Sequence, residues 1–139
     1  MLGKTPVTDI MSKKVVALTL SDSLKGIVEQ FKRHKIKHMP VISRGAVIGM
    51  LSYSDVLRVS NAYATSDGHS VDYEVNDLFN VEQVMVKDVV CLKNTSTVKD
   101  ATQILANREF HALPVVDEDS VLIGIVTSRD LMKYLLKEL

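Results

Sequence analysis

The 139-residue chain carries 17 Lys/Arg against 17 Asp/Glu, with 46% hydrophobic and 24% charged residues, ordinary for a soluble globular protein. Zero net charge argues against a dedicated nucleic-acid binder, which would show a basic excess, and no apolar run approaches the ~18 residues of a membrane span. Met1 to Pro6 lacks the apolar core of a signal peptide, and the single Cys91 rules out an internal disulfide, so the expected compartment is the cytoplasm.

In chain order, a short turn or helix from Val7 to Met11 precedes a small strand, Val15 to Leu18. Ser21-Asp22-Ser23 is a cap cluster, and Leu24, Ile27, Val28 and Phe31 recur at i, i+3, i+4 and i+7, one face of a helix. Met39 to Ile42 and Ala46 to Leu51 are apolar runs joined by Ser43-Arg44-Gly45, a hairpin. A second helix starts near Ser54. Residues 60–80 form an acidic linker, with a short helix expected near Val75 to Phe79.

The order then repeats. Val81 to Met85, Val89 to Leu92, Thr95-Ser96-Thr97, the stripe Val98, Ala101, Ile104 and Leu105, and the runs Leu113 to Val116 and Val121 to Val126 follow. A helix beginning near Arg129 closes the chain. Pro40-Val41-Ile42 returns as Pro114-Val115-Val116 at an offset of 74, and Ile48-Gly49 returns as Ile123-Gly124 at 75, so one residue is gained in the hairpin loop. There, loop length is cheapest to change. The predicted organisation is repeat 1 over 1–59, linker 60–80 and repeat 2 over 81–139. Each repeat is β-α-β-β-α, its crossover helix joining two parallel strands. The third strand is apolar on both faces, so both sides of each sheet should be covered. A unit of ~55 residues rarely buries its own apolar face, so the copies should pack on each other.

Charge is unevenly spread. Residues 1–60 carry ten basic and four acidic residues (+6), 61–80 none and four (−4), and 81–139 seven and nine (−2). A basic first half leaves room for an anionic small ligand. The run Lys32 to His38 is chiefly a solvated helix end whose cations offset the macrodipole. The four histidines lack metal spacing, and Cys91 reads as a small buried hydrophobe.

Ser52-x-x-Asp55 and Thr127-x-x-Asp130 each stand where a strand enters a helix. A capping box alone explains that spacing. The same helix start can also present free N–H groups to a phosphate, with the carboxylate accepting from both hydroxyls of a ribose. Both readings stay open from the residues.

Strand-helix-strand, then Pro-Val-Val-Asp, a hairpin, Gly-Ile-Val-Thr-Ser-Arg-Asp and a helix resembles the CBS (cystathionine-β-synthase) domain. Two copies resemble a stand-alone CBS pair, or Bateman module, over residues 7–59 and 81–139. The implied fold is α+β, with two repeats packed in pseudo-two-fold symmetry and small mixed sheets covered by helices. The resemblance implies a non-catalytic regulatory module without a cofactor or metal, binding AMP, ADP, ATP or S-adenosylmethionine between the repeats. Carried over, one cleft takes Asp130, Thr127 and Arg129 with Val16, Ile36, Lys37 and His38. A weaker one takes Asp55 and Ser52 with Val90, Phe110 and His111. Arg129 and Lys37 favour the first cleft, since the second gathers only His111. Ala17 and Cys91 replace a Thr or Ser common in the first strand of such repeats. The expected partners are the small molecule, a second copy in a homodimer and a regulated protein, with no nucleic acid or membrane. The alternative is a ligand-free interaction or dimerisation domain.

Overall fold

The computed structural model describes residues 3–59, 79–108 and 110–139. Most of the 60–80 linker, with its expected helix, lies outside the described residues. The chain divides into two compact units: a central one, Val16–Val89, and a C-terminal one made of Met1–Val15 with Val90–Leu139. These differ from the sequence repeats in one respect. The opening segment of each repeat packs in the unit built from the rest of the other.

In the central unit, helix α1 (Leu24–His34) starts at Ser23, whose hydroxyl accepts from Gly26 N at 3.1 Å. It ends where Lys35 turns left-handed at φ 54°, after three basic residues that suit the negative end of the helix. Its stripe of Leu24, Ile27 and Phe31 is buried. Strands β1 (His38–Ser43) and β2 (Ala46–Ser52) pair antiparallel. Arg44 and Gly45, both at positive φ, make the two-residue turn that matches strand twist. A helix, α2, follows over 53–59. The strand expected from Val15 to Leu18 is reduced to one parallel bridge, Leu18 to Val41. There Leu18 N donates to Pro40 O at 2.9 Å and Ile42 N donates to Leu18 O at 2.7 Å. From repeat 2 comes the short helix α3 (Val81–Val84), opened by a reciprocal cap between Asn80 and Gln83. Its Val81 is fully buried in the core of Leu18, Ile27, Phe31, Met39 and Leu51.

The C-terminal unit repeats the plan. Strand β3 (Leu92–Lys93), shorter than the run Val89 to Leu92, pairs parallel with β4 (Ala112–Val116), which pairs antiparallel with β5 (Leu122–Thr127). Helix α4 (Val98–Asn107) crosses between β3 and β4, and α5 (Ser128–Glu138) closes the chain. The extra hairpin residue lies in Glu118-Asp119-Ser120. Ser120 N donates to Asp117 O at 3.0 Å, Asp117 N donates to Val121 O at 2.9 Å, and Ser120 takes φ 63°. That is a three-residue loop with a left-handed last position, against two residues in the first copy.

The opening segment of repeat 1 closes this unit. Val7, in a 3-10 turn over Val7–Asp9, is fully buried beside Leu92, Leu113 and Val126. Thr5 O accepts from Val98 N at 2.8 Å and Gly3 O from Lys99 N at 3.0 Å, satisfying two amides at the start of α4. Ser12 exchanges backbone bonds with Ile125, as Val86 does with Met50 in the central unit.

Those two bridges lay a methionine over a bare glycine of the third strand: Met11 over Gly124, and Met85 over Gly49. The three atoms nearest a Cβ on Gly49 would all belong to the Met85 side chain, whereas those nearest one on Gly124 would include the Ser12 carbonyl at 3.1 Å beside Met11. Overpacking of this kind typically costs ~1–3 kcal/mol. Gly49→Ala should fall low in that range and Gly124→Ala high, because backbone yields less than a thioether. Met85→Ala should relieve Gly49→Ala in a double-mutant cycle read by urea denaturation. Additive costs would show that Met85 does not fill this position.

Candidate functional site

Each third strand runs into a helix through the motif singled out above. At β5–α5, Thr127 is the N-cap: its hydroxyl accepts from Asp130 N at 3.2 Å, and Asp130 Oδ2 accepts from Thr127 N at 2.9 Å. The capping box is complete. At β2–α2, Ser52 Oγ accepts from Asp55 N at 3.0 Å, but the Asp55 carboxylate accepts from Arg58 Nη2 at 2.9 Å. The two copies therefore differ in what holds the aspartate.

The residue before each hairpin fixes the start of the following helix. Lys37 O accepts from Tyr53 N at 2.9 Å, and His111 O accepts from Ser128 N at 3.0 Å. In register, His38 stands opposite Ser52 and Ala112 opposite Thr127. Lys37 and His38 thus lie beside the Ser52–Asp55 motif of their own unit, and His111 beside Thr127–Asp130. Val16 and Ile36 are half-buried against the central core, and Val90 and Phe110 against the C-terminal one.

A groove of about 350 Å³ lies in the C-terminal unit along α5. Asp130, Lys133, Tyr134, Lys137 and Glu138 form its helical wall, and Thr5, Asp9 and Ile10 the opposite one. Positions i, i+3, i+4, i+7 and i+8 share a helix face, so this wall was legible from Asp130 onward. The facing residues were not, because they come from repeat 1. Tyr134 joins the walls: its hydroxyl lies 2.9 Å from Thr5 Oγ1 and accepts from Gly3 N at 3.4 Å. Arg129 is exposed and outside the groove lining. Arg58 was also missed, and it corrects the expectation that Asp55 has only a histidine for a cationic neighbour. Its i, i+3 spacing from Asp55 was the available signal.

Cys91 is half-buried. Burial pushes its thiol pKa up, because the interior disfavours the thiolate. Among the described residues, no three His, Cys, Asp or Glu side chains gather as a metal site, and no helix is long and apolar enough to cross a membrane.

The CBS-domain family model matches residues 7–62 and 81–137. The chain belongs to the CBS-domain family and carries the domain twice, as a tandem pair. It is similar to the uncharacterized protein MJ1225 of Methanocaldococcus jannaschii, at 28% identity over 130 residues and 92% of this chain. This chain spans only 46% of that relative's length. The crystal structure of MJ1225 superposes with a TM-score of 0.81 at 25% identity, covering 97% of this chain and 49% of that one. The CBS pair of protein MJ0100, solved with 5-methylthioadenosine and S-adenosyl-L-methionine, gives 0.79 at 22% identity and covers 97% and 98%. CBSX2, from Arabidopsis thaliana and solved with AMP, gives 0.79 at 24% identity and covers 96% and 98%. These likenesses establish the α+β fold of small sheets and helices.

Because the Cys91 thiol pKa is raised, less thiolate is present at pH 8 in the native protein than in the unfolded chain. Alkylation of Cys91 by iodoacetamide should be slower in buffer than in urea at that pH, the gap narrowing as pH rises past the native pKa. Equal rates in the two states at pH 8 would contradict the burial argument.

Proposed function

We propose that this chain is a non-catalytic regulatory module that holds an adenosine-type ligand at Asp130, with a weaker equivalent position at Asp55. The observation that carries this reading is a carboxylate fixed by its own capping box on the wall of a groove of about 350 Å³, within the usual size of small-molecule sites. One Asp130 oxygen serves Thr127 N, and the carboxylate has acceptor capacity left for ribose hydroxyls. AMP beside CBSX2 and S-adenosyl-L-methionine beside MJ0100 support the ligand class by similarity. At Asp55 one oxygen is likewise engaged, by the exposed Arg58, and that guanidinium would compete with ribose hydroxyls for the carboxylate in a pair worth ~0–1 kcal/mol, so that position is weaker.

Binding would shift a conformational equilibrium that a regulated protein reads, at a free-energy gain equal to the ligand's preference for one state. The module would act as a homodimer in the cytoplasm. Met132, Leu135 and Leu136 on α5 are 69%, 47% and 75% exposed. An apolar groove of about 450 Å³ runs between α4 and α5, lined by Val98, Ala106, Leu131 and Leu135 among others. A contiguous apolar face of this kind marks an interface, and closed two-fold pairing is its commonest solution.

Asp130→Ala should weaken adenosine-ligand binding at least tenfold in calorimetry, since each charge-assisted bond contributes ~1.5–3 kcal/mol and ~1.4 kcal/mol is a factor of ten. It should also cost about 1 kcal/mol of stability as a lost cap. Asp130→Asn retains an oxygen for Thr127 N, so it should spare stability while still weakening binding. Unchanged affinity in both variants would remove Asp130 from the site, and a larger loss from Asp55→Ala would reverse the ranking. For assembly, Leu135→Lys with Met132→Lys should shift a sedimenting dimer to monomer. A wild-type monomer mass at every concentration would end the dimer proposal.

A further inference from the structure

The α5 groove is lined by charges of both signs. Asp130 stands at one end of the helical wall and Glu138 eight residues on, ~12 Å along the axis at 1.5 Å per residue. Lys133 and Lys137 lie between them, and Asp9 faces them from the N-terminal segment. Three carboxylates against two ammoniums leave the lining with a net charge of −1. Arg129, the cation nearest Asp130 in sequence, is outside that lining. A phosphate monoester brings about −1.5 to −2 charges at neutral pH, and would meet Asp9 and Glu138 wherever it reached the lysines. A sulfonium amino-acid tail brings two cationic groups and one carboxylate. Its cations can pair with Asp9 and Glu138 while its carboxylate takes Lys133 or Lys137. A groove with charges of both signs and a net charge of −1 suits a tail of mixed charge and net +1 better than a polyanion.

We propose that this groove selects an adenosine bearing a cationic amino-acid chain, the chemistry of S-adenosylmethionine, over adenosines bearing phosphates. The proposal rests on the reading of Asp130 as the ribose-holding residue and specifies what lies beyond the ribose.

Calorimetry of the whole protein against S-adenosylmethionine, adenosine, AMP and ATP at one ionic strength tests it. S-Adenosylmethionine should bind at least tenfold more tightly than AMP, with ATP weakest and adenosine between. Raising salt should narrow the spread, since the groove is open to solvent. Asp9→Asn combined with Glu138→Gln should weaken S-adenosylmethionine and strengthen AMP, lowering their affinity ratio at least tenfold; both side chains are exposed, so folding should survive. AMP or ATP binding as tightly as S-adenosylmethionine, with affinity still lost in Asp130→Asn, would overturn the selectivity and leave the ribose reading standing. An affinity ratio unchanged in the double variant would overturn it equally. Failure of all four compounds to bind would overturn both.

Discussion

Everything in this fold depends on covering the second strand of each hairpin. Ala46–Ser52 and Leu122–Thr127 are apolar on both faces and so need packing on both. The covering element is the opening segment of the other repeat, which docks by two backbone bonds and lays Met85 over Gly49 or Met11 over Gly124. Glycine is required because the thioether lies where a Cβ would stand. Neither repeat carries its own lid, so each unit is complete only when both repeats are present. Duplication is thus built into the packing of each unit, beyond its appearance in the sequence.

That exchange also marks the limit of what the sequence made legible. The elements within a repeat followed from local physics: the α1 and α4 stripes, the caps at Ser23 and Thr97, both hairpins and the one-residue slip between them. Met11 and Met85 close the matching opening segments Val7 to Met11 and Val81 to Met85, so their equivalence was visible as a repeat. Which unit each methionine joins was not visible, because periodicity carries no information on partner choice between near-identical surfaces. The first strands were overestimated for a related reason. Val15-Val16 and Val89-Val90 lie where the chain leaves one compact unit for the other, and Val16 and Val90 pack against the cores without joining a ladder.

The candidate site divides along the same line. Thr127 and Asp130 meet because a strand-to-helix turn puts the N-cap and N3 residues in hydrogen-bond reach, a local fact that sequence spacing captures. Thr5, Asp9 and Ile10 line the groove only because the opening segment is exchanged. No offset argument within repeat 2 reaches them. Tyr134 shows how firmly the exchange is held, since its hydroxyl ties the segment to α5 at Thr5 and Gly3.

The two motifs began as copies and now differ in chemistry through one matched position. Arg58 and Lys133 both stand three residues after the aspartate, so both place a cation on its helix face. A guanidinium offers a rigid fork of donors and makes a directed bond to a nearby carboxylate, here at 2.9 Å to Asp55. An ammonium on a flexible stem is a point charge that remains available to the groove. Asp130, held by its own backbone cap, keeps its orientation without consuming that charge. In the first copy the cation is engaged by the aspartate itself; in the second, aspartate and lysine both face the groove as separate groups. Retention of a cation at this position thus gives an ion pair in one unit and a groove-lining charge in the other.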